Sequence, residues 1–535
     1  MLIWAVKSDD LQPETLWNRI YKSFCFGDVM ITLGTGRLTH KEETALGLAG
    51  EHDYAILDMK ELGSQRLLLV KNPWCDGMGW KGSYRTGESS AQSGAHETDS
   101  NSGTFWMGFE DIIQHFESLY LNWNPGLFRH RQDHHFSWTL PPIANPGSFT
   151  QNPQYTMKSS TGGNIWVLLS RHFATGEHNI AKKKSTTMAD TSSSLGFISL
   201  YIFTANGRRV YLSDNALHRG AFVDSPQTLA RLDTSPSTSY TVVVAQHGLP
   251  LPKYSFTLSF FSRSPLAIDL ATDHLTHCTT HSGLWTFRTA GGNASSSTYP
   301  SNPQYSISVP FATDIAIVLE TEKEELAVHA KMVWANGERV TIVTSKDIVG
   351  GSGDYRRGCA LAELRSVAAG KYTIVCSTFE AGQTGNFTLR VRSSVPCEVH
   401  PILAEGAGRL SHRLPLLIPN GVERMLAPLY VSRMTRLRVV ARFLSTCRPP
   451  IKISIELGQG PNKTILDISG GGEFSDTPSG IRTMDIDVNS ADASRRGGFW
   501  VVVERLGGRN RIDHVELEVL SDSHVDVGVW GVGDG

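Results

Sequence analysis

Apolar positions along the chain change rhythm once. From Leu11 to Phe26 the side chains Leu16, Ile20 and Phe24 recur every fourth residue, which gathers them on one face of an α-helix. Strand-sized runs follow at Val29–Leu33, Tyr54–Met59 and Arg66–Val70, and Phe109–Leu121 again carries helical spacing. Residues 1–125 therefore predict a mixed α+β segment. Beyond about residue 130 the helical period almost vanishes. Short β-branched or alternating runs recur between Gly, Pro, Asn and Ser clusters: Ile165–Leu169, Ser199–Phe203, Tyr240–Ala245, Ser255–Phe260, Ile315–Glu320, Tyr372–Cys376, Phe387–Val391, Leu437–Phe443 and Phe499–Glu504. Strands at this spacing predict tandem antiparallel β-sandwiches.

Part of the strand-rich region repeats. Ser137-Trp138 precedes Gln151-Asn152-Pro153-Gln154-Tyr155, and Leu284-Trp285 precedes Ser301-Asn302-Pro303-Gln304-Tyr305. The two Asn-Pro-Gln-Tyr elements lie 150 residues apart (302 − 152), a domain-sized period. The expected division is 1–125 for the α+β segment, then sandwiches at 126–268 and 269–397. Residues 398–535 have the same texture without the Trp or Asn-Pro-Gln-Tyr signature and read as a diverged third sandwich.

A length of 535 residues suits about three or four domains. Lys+Arg 50 against Asp+Glu 52 gives a net charge of -2, which excludes a broad electrostatic hold on nucleic acid. The longest apolar runs, such as Phe197–Phe203, fall far short of the ~18 residues of a membrane helix. The first residues show no basic segment leading into an apolar core, and seven scattered cysteines build no disulfide framework. These features point to a cytoplasmic, reducing setting without a transmembrane segment.

The chemistry-bearing candidates lie near the start. Gly50-Glu51-His52-Asp53-Tyr54 places a histidine at the mouth of a strand, where it can serve as a general base to a thiol. Asn72, at the end of a later strand, can accept the imidazole N–H and hold the ring, and Trp74 can cover that hydrogen bond. A surface histidine and a turn-forming Asn-Pro fit the same two residues taken alone.

Further segments weigh on that choice: Arg66-Leu67-Leu68-Leu69-Val70-Lys71-Asn72-Pro73-Trp74, then Trp80-Lys81-Gly82, then Gly103-Thr104-Phe105-Trp106-Met107-Gly108-Phe109. In this order, with the H-x-Y strand before them, they resemble the second half of the calpain protease domain. The resemblance covers roughly Thr32 to Leu121. It implies a papain-like α+β half-domain in which His52 matches the catalytic histidine, Asn72 the catalytic asparagine and Trp74 the shielding tryptophan. Several sandwiches without a calcium-binding EF-hand loop resemble the PalB/calpain-7-like branch, associated in fungi with ambient-pH signalling. That branch implies a cysteine-type endopeptidase acting on protein substrates, with endosomal sorting partners of the ESCRT-III type and a cytoplasmic place near endosomal membranes.

The family nucleophile, a Cys followed by Trp with a Gln upstream, has no match. No Cys-Trp pair occurs, and neither Cys25 nor Cys75 has that context. The expectation is a chain without its nucleophile, either part of a longer protease or a relic, and inactive by itself. The alternative function is a non-catalytic scaffold whose sandwiches bind protein partners. Acidic calcium ligands of the family are replaced by Gly79, Thr86, Ser102 and Thr104, so no calcium and no other cofactor or metal is expected.

Three other signals read as ordinary surface. Leu33-Gly34-Thr35-Gly36-Arg37-Leu38 lacks the Lys-Ser/Thr of a phosphate loop and is expected to form a tight turn. His274, His277, Cys278 and His281 have zinc-like spacing but sit in a polar stretch of solvated residues. Lys182-Lys183-Lys184 reads as a solvated loop.

Overall fold

The computed structural model describes residues 2–7, 13–74, 79–82, 103–141, 145, 147–177, 180, 195–444, 448–507 and 511–533. They fall into two compact units, 1–273 and 274–535. The first unit opens with β1 (Leu2–Lys7), β2 (Val29–Gly34), β3 (Asp53–Leu62), β4 (Gln65–Lys71), β5 (Thr104–Gly108) and β6 (Ser118–Trp123). They form one sheet in the order β1-β6-β2-β3-β4-β5, with every neighbouring pair antiparallel. The connecting helices are α1 (Pro13–Cys25), α2 (His40–Leu46) and α3 (Phe109–His115).

Helix α1 buries Leu16, Trp17 and Ile20, and the Trp17 indole donates to Glu61 on β3 at 2.5 Å. Helix α2 is only seven residues long and depends on its ends. Thr39 and Glu42 form a reciprocal capping box, and Gly47 closes the helix at φ +74°. A Cβ on Gly47 would stand 1.9 Å from the Gly79 carbonyl oxygen, so the close approach requires glycine. Lys81 N–H then donates to Leu46 O at 2.9 Å, and the strap from Gly79 to Lys81 seats Trp80 in the core.

The helical reading of Phe109–Leu121 holds only to His115. Leu119, Leu121 and Trp123 alternate into the core, and β6 pairs on both sides, with β1 and β2. Two ladders of backbone bonds outweigh a short helical pattern. This sheet also shares its core with two strands beyond residue 130, Gly163–Arg171 and Lys253–Ser262: Trp166, Leu168 and Phe261 join the same cluster. Trp123 meets Trp166 edge-on at 5.4 Å, and the Arg231 guanidinium lies 4.2 Å from the Trp166 ring centroid.

The rest of the chain repeats one strand plan three times. In the first copy a four-stranded sheet runs Gln227–Thr234, Gly163–Arg171, Lys253–Ser262, His130–Thr139. Its companion sheet runs Phe197–Phe203, Ser239–His247, Gln154–Ser159, Leu266–Leu270, with His218–Arg219 outside Phe197–Phe203. The second copy has the corresponding orders Cys359–Val367, Thr313–Thr321, Gly385–Ser393, His277–Trp285 and Ala327–Val333, Gly370–Thr378, Gln304–Val309, Glu398–Ile402. The third copy runs Ile481–Arg482, Thr435–Phe443, Asp513–Ser521, Leu410–Ile418 and Ile451–Leu457, Phe499–Arg505, Arg424–Val431, Val525–Val527. In each copy both sheets contribute to one apolar core. Every strand run expected from the sequence beyond residue 130 lies inside one of these strands.

The Asn-Pro-Gln-Tyr repeat turns out to be one half of a clamp. Gln154 Nε2 donates to Val210 O at 2.8 Å and its Oε1 accepts Val210 N–H at 2.9 Å. Gln304 holds Val340 in the same way, at 2.8 and 2.7 Å. Both valines follow an arginine, and Arg209 and Arg339 bond the carbonyls of Asn152 and Asn302. The other half of the repeat is thus Ala205-Asn206-Gly207-Arg208-Arg209-Val210 against Ala335-Asn336-Gly337-Glu338-Arg339-Val340. Asn206 and Asn336 both sit at φ +51°, followed by glycines at +74° and +75°.

Candidate active site

His52 precedes the first ladder residue of β3, Asp53, which pairs with Gly34. Asn72 follows the last residue of β4, and Trp74 lies two residues on. Since β3 and β4 are adjacent, residues twenty apart in sequence meet at one end of the sheet. His52 Nε2 lies 2.9 Å from Asn72 Oδ1. The same Oδ1 accepts the backbone N–H of Trp74 at 3.0 Å. That amide can only donate, so the Asn72 atom facing His52 is the carbonyl oxygen, and His52 Nε2 must carry its proton. In the neutral imidazole the lone pair is then on Nδ1, the atom left to act as a base.

Asn72 is 0% exposed and His52 9%, while Trp74 is 62% exposed. The Trp74 and His52 rings lie 3.8 Å apart between centroids at 34°. The indole therefore covers one face of the imidazole and turns its other face outward. Tyr54 meets His52 from another side, edge-on at 4.9 Å. The Asn72 backbone N–H donates to Gly103 O at 2.8 Å, which ties the site to the start of β5.

Three family models match the chain: calpain family cysteine protease over residues 3–122, calpain large subunit domain III over 281–392, and the C-terminal domain of calpain-like protease palB-like over 405–534. Calpain-like protease palB/RIM13 of Aspergillus oryzae is 45% identical over 538 residues, covering 98% of this chain and 62% of that protein. The chain belongs to the palB/RIM13 family of calpain-like proteases. Calpain-like protease palB of Emericella nidulans is 44% identical, with the same 98% and 62% coverage. Human calpain-7 is 28% identical over 421 residues, 73% of this chain and 49% of that one. The chain thus spans about 62% of the length of the first two relatives.

The other residues singled out in this calpain-like chain are dispersed. Cys25 is an exposed free thiol on the last turn of α1, beside Tyr21. Cys75, Thr86, Ser102 and Lys182-Lys183-Lys184 lie outside the described residues. Gly79 packs its carbonyl against Gly47, and Thr104 opens β5 opposite Lys71; neither offers a carboxylate. His277, Cys278 and His281 lie on the extended strand His277–Trp285, and His274 precedes it. A strand sends Cys278 to the opposite face from His277 and sets His277 and His281 ~13 Å apart, which breaks the zinc-like spacing. Among the described residues no three His, Cys, Asp or Glu side chains converge on a metal-sized point, and no helix is long and apolar enough to cross a membrane.

The expected tight turn at Gly34-Thr35-Gly36 is absent. Residues 35–39 leave β2 without a turn and run alongside the loop that carries His52. Thr35 N–H donates to His52 O at 3.0 Å and Glu51 N–H to Gly36 O at 2.9 Å. A Cβ at Gly36 would stand 2.6 Å from Oε2 of the exposed Glu117, a side-chain end free to swing aside. The sequence therefore marked this segment but not its use. Thr35 touches the His52 backbone across 17 residues, a contact that no local spacing displays, whereas Tyr54 lies in the H-x-Y motif itself.

Proposed function

We propose that residues 1–125 are the base-and-orienter half of a calpain-type cysteine protease site, followed by β-sandwich modules at 126–268, 269–397 and 398–535. His52 Nδ1 takes the proton of a cysteine thiol and later returns it to the leaving amine. Asn72 keeps the imidazole in the Nε2–H tautomer and in orientation, and Trp74 keeps water from that bond. The observation that supports this reading is the 2.9 Å contact between His52 Nε2 and an Asn72 oxygen whose identity the Trp74 amide fixes. The reaction also needs a thiolate and an oxyanion donor, and the Cys-Trp pair that would supply the first does not occur in this sequence. The chain alone is therefore inert toward peptide bonds. No resident metal belongs to this reading. Protein substrates, ESCRT-III-type partners held by the sandwiches, a role in a fungal pH-response pathway and a cytoplasmic location near endosomal membranes complete it.

The test is complementation. The chain by itself should turn over no peptide and leave a thiol-directed peptidyl probe unreacted. Mixed with the stretches of the Aspergillus oryzae relative that it does not match, it should gain turnover that His52→Ala abolishes. Turnover indifferent to His52→Ala overturns the reading. A complex that forms and stays inert favours the scaffold alternative.

A further inference from the structure

We infer that Thr35 is the positioning residue that aims the His52 imidazole at Asn72. This deepens the reading of His52 and Asn72 as base and orienter and rests on it. His52 stands outside the β3 ladder, directly after Glu51, which is held at φ +48°, an uncommon conformation for a residue with a side chain. Such a kink persists only where its surroundings over-determine it. Thr35 supplies much of that constraint. Its hydroxyl accepts the His52 N–H at 3.0 Å and lies 2.7 Å from the Ala49 carbonyl, to which it donates. Its own N–H donates to His52 O at 3.0 Å.

Both backbone polar groups of His52 therefore bond the same residue, and the hydroxyl closes the loop from Ala49 to His52 across its base. The remaining loop amides are held elsewhere: Ala49 N–H by the Tyr54 hydroxyl at 2.7 Å, Gly50 N–H by Glu43 at 2.8 Å, and Glu51 N–H by Gly36. Thr35 is buried, and its bonds to His52 reach the backbone, not the imidazole. It acts through the direction of the His52 Cα–Cβ bond, which decides whether Nε2 falls 2.9 Å from Asn72 Oδ1. A valine has nearly the same shape and neither donates nor accepts. It would leave the His52 N–H and the Ala49 carbonyl buried without these partners. A serine keeps both bonds.

The experiment uses the full chain labelled with ¹⁵N-histidine, with the His52 signals assigned by His52→Gln. It reads two things: the tautomer of His52 and the exchange rate of its Nε2–H proton. The wild type should show a single Nε2–H tautomer with a slowly exchanging proton. Thr35→Val should lose both signatures, and Thr35→Ser should restore them. Tyr54→Phe weakens the same loop at Ala49 without touching the His52 backbone, and should keep the tautomer. Wild-type signatures in folded Thr35→Val overturn the inference. So does their loss in folded Thr35→Ser, which decides the question even if the valine variant does not fold. Equal loss in Tyr54→Phe and Thr35→Val also overturns it, because the effect would then be general loosening of the loop. A wild type without the Nε2–H tautomer would instead overturn the His52–Asn72 reading itself.

Discussion

Trp74 acts on Asn72 by its backbone and on His52 by its ring: the amide donates to Asn72 Oδ1 at 3.0 Å, and the indole lies tilted over the imidazole bound to that same oxygen, 3.8 Å between centroids. The two contributions separate under mutation. In the complemented protein, His52→Ala should abolish hydrolysis, because the base is gone. Asn72→Ala should cost about 10²-fold or more in kcat/KM, the usual scale for a positioned acid–base pair. Trp74→Ala should cost less, because its amide survives the substitution and still fixes the Asn72 carbonyl. The three kcat/KM values check the ranking; a Trp74→Ala loss equal to that of His52→Ala would contradict it.

His52, Asn72 and Trp74 could be singled out in the sequence because each sits in a short motif at a strand end, and the structure brings the three together because β3 and β4 are adjacent. Thr35 could not be, because its role lies in bonds to Ala49 and His52, 14 and 17 residues away. Helix α2 was missed for a related reason: seven residues held by caps show little periodicity. Strand β6 was hidden inside an apparent helix, since its pattern becomes decisive only when β1 and β2 flank it. The clamp repeat was half seen. The segment between Gly163–Arg171 and Phe197–Phe203 has 25 residues (172–196), and its counterpart between Thr313–Thr321 and Ala327–Val333 has 5 (322–326). That difference of 20 shifts Arg209-Val210 against Arg339-Val340 and conceals the match from a fixed period.

The clamp makes a paired prediction. Gln154 and Gln304 are both buried, and each fills the donor and acceptor of one valine. Gln304→Leu should destabilise the second copy by about 1–3 kcal/mol for the buried groups it leaves unpaired, and Gln154→Leu should do the same to the first. Urea unfolding followed by hydrogen exchange resolved along the chain assigns each loss to its copy. Unchanged midpoints would mean that the clamp is decorative.

The shared core sets the unfolding unit. A six-stranded sheet that merely preceded the paired sheets would unfold before them. Trp166 lies on Gly163–Arg171, yet its ring packs against Trp123 of β6 and belongs to the core of the six-stranded sheet. Trp166→Ala should cost about 3–5 kcal/mol, as large aromatic deletions do. Exchange protection should fall together over residues 2–123 and 130–270. Loss confined to the strands after residue 130 would show that the two parts are energetically separate.

Acid should loosen the second and third copies in different pH ranges. In the second, burial, reinforced by the charge of Lys331, pushes His329 down to about 4, against opposing pulls from the Gly353 backbone and Asp354. The unfolded imidazole binds its proton near pH 6.5, whereas the folded one stays neutral until about pH 4. The unfolded state therefore binds more protons between these values, and the second copy loses stability as pH falls from about 6.5 toward 4. The third copy is governed by carboxylates. Hydrogen bonding from Arg409 holds Asp485 low against its burial. For Glu518, burial pushes upward, but bonds from Ser411 and Arg442 and the charges of Arg442 and Arg413 outweigh it. With folded values below the unfolded ones of about 4, their contribution is intact above that pH and lost only below it. Incubation in fixed urea at pH 7, 5.5 and 3.5, followed by a hydrogen-exchange pulse at one common pH, separates the two. Strands from His277 to Ile402 should lose protection already at pH 5.5, and His329→Gln should flatten that loss. Strands from Leu410 to Val527 should hold at pH 5.5 and yield at 3.5. A His329→Gln protein with the wild-type slope would exclude His329 as its source.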